Sequence, residues 1–271
     1  MSDPLPAFYI NLATRPDRRT HMEAELARVG LVAERIEAKA PADLPPALLA
    51  AVTTRRHQRL TATELACSFS HRHVWRLMLD RGHAAALVLE DDAIISTALP
   101  AALADPLFLG PDVDAIQLET HPSNALIGPA RRTTNPALAR HRLLTSSLGT
   151  AGYLLTAHWA GRLLADPALD LYPVDKVLFG REAGSLYRAA VWQAVPALLI
   201  PVPESPGSSV GRSDLEIARA ENRRQRPRRP RRAVRHQFHH WLVLAKSALT
   251  GRLWGARRID IPAAPDLRSP R

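Results

Sequence analysis

The chain has 271 residues, 46% of them hydrophobic and 23% charged, a globular composition with room for one large domain or two small ones. The net charge of +10 is uneven: residues 222–271 hold 14 Arg/Lys against 2 Asp/Glu and residues 1–221 hold 22 against 24, so the nearly neutral body argues against nucleic-acid binding by the body. A single cysteine, Cys67, excludes an intrachain disulfide and a zinc ribbon, and the absence of a signal-peptide pattern or an 18-residue apolar run points to a cytoplasmic protein.

Residues 7–13, AFYINLA, read as a first strand ending near Asn11. Thr14, Pro16 and Asp17 then mark a helix start, with Met22, Leu26 and Val29 on one face and Gly30 as the stop. Residues 33–38 supply a second strand, so the chain opens β-α-β, the beginning of an α/β fold. Thr61 and Glu64 have capping-box spacing at the head of a helix running through Leu79. Residues 84–89, AAALVL, suit a buried central strand. Further strands are expected at 114–119, 150–156 and 190–195, with a helix after Thr156.

The central strand runs into three consecutive acids, Glu90, Asp91 and Asp92. In open α/β sheets ligands bind beyond the carboxyl ends of the strands. Alternation along an extended chain would turn Glu90 and Asp92 one way and Asp91 the other. Two oxygen donors on one face suit Mg²⁺ or Mn²⁺. A solvated acidic turn is the structural alternative. A phosphotransfer site is another, although such sites usually use the first strand, which here ends in Asn11.

Five segments resemble, in order, the motifs of glycosyltransferase family 25, the bacterial lipooligosaccharide-type galactosyltransferases with collagen-modifying relatives. They are FYINLATRPDRR (8–19), TELACSFSHRHVW (63–75), ALVLEDDAII (86–95), GTAGYLLT (149–156) and YPVDKVLF (172–179). Thr63 stands where such families often carry a glycine, and residues 201–214 match poorly. The resemblance implies a GT-A-like, Rossmann-like α/β fold with a mixed central sheet flanked by helices. It also implies a UDP-sugar donor, a saccharide or glycolipid acceptor, a Mn²⁺ or Mg²⁺ ion, and inverting displacement. By that analogy Asp92 is the first metal ligand, Glu90 supports the metal or the ribose, and Asp91 orients a neighbour. Asn11, at the end of the first strand, is a candidate to bond uracil or ribose, and Arg15 and Arg18, at a helix start where N–H groups favour anions, are candidates for uridine or diphosphate contacts; a solvated helix face is the alternative for the arginines. Asp175 is the candidate general base, or else a helix cap. Glu64, Ser70 and His71 are expected to support the site from behind. A member that binds sugar nucleotide without turnover would share all these features.

The expected domain ends near residue 220. Residues 223–235 hold eight arginines and two prolines and read as an extended arm. Phe238, Trp241, Leu242, Ala245, Leu249 and Leu253 then share one face of a basic amphipathic helix, a pattern suited to an anionic membrane surface at the inner face of the cytoplasmic membrane. Nucleic-acid contact and an extension without a partner are the alternatives.

Overall fold

The computed structural model describes residues 4–54, 60–120, 124–203, 210 and 255–268. In chain order these form β1 (Ala7–Asn11), α1 (Pro16–Val29), β2 (Glu34–Glu37), α2 (Pro46–Thr54), α3 (Ala62–Asp80), β3 (Ala85–Glu90), β4 (Ala93–Ile95), α4 (Leu99–Leu103), β5 (Ala115–Gln117), β6 (Asn124–Arg132), β7 (Ala139–Leu143), β8 (Gly152–Thr156), α5 (Ala157–Leu164), α6 (Val174–Phe179), α7 (Ser185–Arg188), β9 (Val191–Val195), β10 (Leu199–Pro201) and β11 (Arg257–Asp260).

Local chemistry accounts for the early elements. Pro16 occupies the first position of α1, where its fixed φ fits and its missing N–H costs nothing. Gly30 closes the same helix at φ 70, a left-handed position that favours glycine. At α3 the Glu64 N–H donates to Thr61 Oγ1 (3.0 Å) and the Thr61 N–H to Glu64 Oε2 (2.7 Å), which completes the expected capping box.

Nine strands form one sheet in the order β11-β6-β7-β9-β5-β8-β3-β1-β2. The pairs β1/β2, β1/β3 and β5/β9 are parallel, and the remaining neighbours are antiparallel. This is the expected mixed α/β sheet. After β1 the chain steps to one side to make β2, then crosses back to make β3 on the other. Met22 and Leu26 of α1 pack with Leu87 and Leu89 on one face. Val74, Trp75 and Met78 of α3 pack with Phe8, Ala86 and Val88 on the opposite face. The carboxyl ends of β1 and β3 therefore flank a topological switch point with a helix on either side, the place where open sheets leave a crevice.

The β6–β7 hairpin was not anticipated, because its strands are rich in arginine. The end of the chain also differs from expectation. β11 pairs antiparallel with the edge strand β6, Ile261 and Ala264 are buried, and the Asp266 carboxylate accepts from the Thr97 N–H (2.7 Å) and Ser96 Oγ (2.8 Å). Residues 257–268 thus belong to the sheet domain, contrary to a boundary that placed everything after residue 220 outside it. The signal was weak because the strand's apolar content is slight. The arginine arm and the amphipathic segment 236–253 lie outside the described residues. No described helix is long and apolar enough to cross a membrane.

Candidate functional site: a switch-point cleft with acidic and basic halves

An open cleft lies beyond the ends of β1, β2 and β3, and is lined by Arg15, Arg18, Lys39, Thr63, Cys67, Ser70, His71, Glu90, Asp91 and Asp92 together with Ile10, Leu12 and Ala38. Arg15 and Arg18 come from the start of α1, and Thr63 comes from the start of α3. Two helix N-termini thus meet the cleft with two arginines and a lysine, an arrangement that favours anions. The opposite wall is the acidic triplet.

The acids do not alternate as an extended strand would place them. β3 stops at Glu90 and the next two residues turn, so Asp91 and Asp92 share one guanidinium. Arg18 Nη1 lies 3.1 Å from Asp91 Oδ1 and 3.0 Å from Asp92 Oδ2. Asp92 is held from behind, because its carbonyl accepts the Val202 N–H (2.7 Å) just beyond the β4–β10 ladder. Burial and the neighbouring Glu90 charge push the Asp92 carboxyl up to about 7. Burial also raises Asp91, against the pull of Arg18 and Asn11.

Glu90 behaves oppositely. Burial raises its carboxyl, but bonds from His71 and Thr150 outweigh this and leave it below the ordinary value. His71 Nε2 lies 3.3 Å from Glu90 Oε1, and Thr150 Oγ1 donates to the same oxygen. His71 Nδ1 lies 2.8 Å from Tyr153 Oη, which also accepts from Trp75 Nε1 (2.9 Å). His71, Trp75 and Tyr153 are fully buried, so this chain of bonds fixes the orientation of Glu90 from inside the core.

The structure gathers seven of the predicted residues at the cleft: Arg15, Arg18, Ser70, His71, Glu90, Asp91 and Asp92. Arg15 is paired with Asp17 at 3.0 Å. Ser70 Oγ accepts the Lys39 N–H (2.8 Å) and donates to the Ala66 carbonyl (3.0 Å), tying the loop after β2 to α3. Asn11 is turned inward. Its Nδ2 donates to Asp91 Oδ2 (2.7 Å) and the Arg15 carbonyl (3.1 Å), and its Oδ1 accepts from Arg35 Nε (3.0 Å). It therefore positions Asp91 rather than meeting the cleft. Glu64 serves its capping box. Asp175 is buried in the first turn of α6, its Oδ1 accepting the Lys176 N–H (2.8 Å), and it is not among the residues lining the cleft.

Sequence reasoning missed Glu119. It follows β5, whose carboxyl end lies on the same side of the sheet as that of β3, and it is 1% exposed. Its Oε2 accepts the Ala151 N–H (3.3 Å), and its Oε1 has no hydrogen-bond partner among the described residues. Burial, then the charge on Glu90, push its carboxyl well above the usual range. Gly149, at φ +117, leaves room for it, since a Cβ there would fall 1.9 Å from Glu119 Oε1. The signal was available: residues 114–119, DAIQLE, are an expected strand that closes on an acid, as residues 84–90 do.

This donor set can hold a hard divalent cation on its carboxylates with a diphosphate beside it on Arg15, Lys39 and the helix starts. The family model described as glycosyltransferase family 25 (LPS biosynthesis protein) matches residues 5–178. Over 207 residues the chain is 31% identical to the lacto-N-neotetraose biosynthesis glycosyltransferase LgtB of Neisseria meningitidis serogroup A / serotype 4A, covering 70% of this chain and 71% of that protein. It is 28% identical over 227 residues to a glycosyltransferase 25 family member of Drosophila melanogaster, covering 72% of this chain and 35% of that one. It is also 28% identical over 204 residues to the human inactive glycosyltransferase 25 family member 3, covering 68% of this chain and 33% of the human protein. The chain belongs to glycosyltransferase family 25.

Proposed function

We propose that this family 25 glycosyltransferase moves a hexose, galactose foremost, from a UDP-sugar to a hydroxyl of a cell-surface saccharide such as lipooligosaccharide, with inversion and with Mn²⁺ or Mg²⁺ in the cleft. The observation that carries this reading is the meeting of acidic and basic walls at the β1–β3 switch point. Glu90, Asp91 and Asp92 are hard oxygen donors of the kind such cations take. Among the described residues Arg18 is the cation that meets both Asp91 and Asp92, Asp92 is pushed up to about 7 by burial and by Glu90, and Glu119 Oε1 lacks a partner. That excess of crowded carboxylates fits a divalent ion. Bound there, the ion would neutralise the charge that develops on departing UDP.

The chain's own residues do the rest. Arg18 and Asn11 fix Asp91, Arg18 also orients Asp92, and the His71–Tyr153–Trp75 chain with Thr150 fixes Glu90. Arg15, Lys39 and the N-terminus of α3 face the anionic half of the donor. We further propose that the arginine arm and the amphipathic segment hold the protein on anionic lipid, at about 1 kcal/mol per arginine near the surface. Salt-sensitive liposome binding that is lost on truncation before Arg223 supports this; equal binding without the tail removes it.

The test is a donor panel with purified protein. UDP release from UDP-galactose, UDP-glucose and UDP-N-acetylhexosamines is followed with an acceptor saccharide, in Mn²⁺ and in EDTA. Mn²⁺-dependent release from one donor, abolished by Asp92→Ala, is expected. UDP binding without release from any donor would favour the inactive reading. Absence of both binding and release would reject the proposal.

A further inference from the structure

Cys67 and His71 stand one helical turn apart on α3, and both line the cleft opposite Glu90 of β3. One ligand atom from each of these three residues lies within 4.8 Å of the other two. His71 is held as metal-ligating histidines usually are, with the far ring nitrogen fixed by a buried partner, here Tyr153 Oη at 2.8 Å. That leaves Nε2 directed at the cleft wall, 3.3 Å from Glu90 Oε1.

We propose that Cys67 Sγ, His71 Nε2 and a Glu90 carboxylate oxygen form a second cation site, which takes zinc or another borderline-soft divalent ion. A thiolate, an imidazole and a carboxylate suit Zn²⁺ and Co²⁺, whereas all-oxygen sets suit Mg²⁺ and Mn²⁺. On binding, the Cys67 thiol releases its proton to solvent. The Nε2 proton that bonds Glu90 is given up to solvent, so that His71 binds with its ring proton on Nδ1, against Tyr153 Oη, and the Nε2 lone pair on the ion. Glu90 then meets the ion in place of that proton. The fourth position opens on the cleft, where water or a phosphate oxygen can fill it. Glu90 is shared with the acidic triplet, so zinc here withdraws Glu90 from a hard cation at Asp92. That last consequence rests on the proposed function; the site itself does not.

The experiment titrates chelator-treated full-length protein with Co²⁺ and reads the thiolate-to-cobalt charge-transfer band in the near ultraviolet. The chain has one cysteine, so such a band reports Cys67. We expect saturation at one ion per chain, displacement by Zn²⁺, loss of the band in Cys67→Ala and His71→Gln, and an affinity about 10–100-fold weaker in Tyr153→Phe. No band in the parent protein would overturn the proposal. So would a band of unchanged affinity in His71→Gln, which would mean a bare thiol, or saturation at half an ion per chain, which would mean thiols of two molecules bridged by one ion. If His71→Gln fails to fold by circular dichroism, the parent stoichiometry and the Tyr153→Phe affinity decide. The readout uses neither UDP nor Mn²⁺, so its failure is distinguishable from failure of the transferase reading.

Discussion

The two sides of the sheet use the same residue types in opposite ways. On the antiparallel side, carboxylates are answered where they stand. Arg140 Nη2 meets Asp112 Oδ1 at 2.6 Å while its guanidinium lies 4.4 Å from the centre of the Trp192 ring. Arg142 Nη2 donates to the Ala189 carbonyl (2.6 Å), and Asp105 accepts from the Leu107 N–H (2.8 Å) and the Thr134 N–H (2.6 Å). Burial raises Asp105 and Asp112, but these bonds outweigh it, and both carboxyls end below their ordinary value. At the switch point, burial wins at Asp91, Asp92 and Glu119, which are all raised, while Glu90 stays lowered by its bonds; among the described residues, Arg18 supplies the guanidinium that meets both Asp91 and Asp92. Satisfied carboxylates hold the fold together, and crowded carboxylates mark the proposed ligand site.

Substitutions on each side should therefore separate turnover from stability. The largest effect is expected for Asp92→Asn, which should lower Mn²⁺-dependent UDP release about 10²–10³-fold, as the loss of one well-aimed electrostatic group does. Retained release would move the acidic wall to the structural side of the comparison.

The next concerns pH. Burial and the Glu90 charge push the Asp92 carboxyl up to about 7 in the folded protein, from an ordinary 3.8. The folded state thus binds that proton more tightly than the unfolded one. The cation-free protein should lose stability as pH rises from about 4 to about 7, on the order of 1–4 kcal/mol by urea melts, and no further above that. Asp92→Asn should flatten this dependence. Mn²⁺ competes with the same proton, so its affinity should rise with pH over that window.

Truncation before Gly255 removes β11 with the buried Ile261 and Ala264, and should cost on the order of 2–4 kcal/mol with UDP affinity retained. An unchanged melt would return the chain end to a separate tail. Arg140→Ala should cost about 1–2 kcal/mol and leave UDP binding within twofold, since its partners all lie away from the cleft. The smallest effect is expected for Asp175→Asn. Its carboxylate serves the start of α6, so about 1 kcal/mol of stability should be lost with kcat changed only a few-fold. A fall of about 10²–10⁴-fold in kcat at unchanged UDP affinity would instead make Asp175 the general base.

The same contrast explains what the sequence disclosed. The parallel side announces itself through local rules: Pro16 and Gly30 bound α1, Thr61 and Glu64 start α3, and residues 84–89 form an uninterrupted apolar strand. The acids at its end were legible for the same reason. The strands β6, β7 and β11 carry arginines, and Arg140 and Arg142 of β7 find their partners only after folding, so no alternation betrays these strands. Within the site, Arg18 and the triplet were visible as a pattern, but the inward turn of Asn11 depends on Arg35 and Asp91, which lie far along the chain. Glu119 feels the charge of Glu90 because a single strand, β8, pairs with both β5 and β3.

The most direct measurement is calorimetric titration of UDP into the protein at pH 7.5, in Mn²⁺ and in EDTA, with Asp92→Asn beside the parent. The account predicts that Mn²⁺ tightens UDP binding at least tenfold in the parent and not in the variant. UDP affinity indifferent to both Mn²⁺ and Asp92, in a variant that remains folded, would contradict a cation-assisted diphosphate site at this cleft.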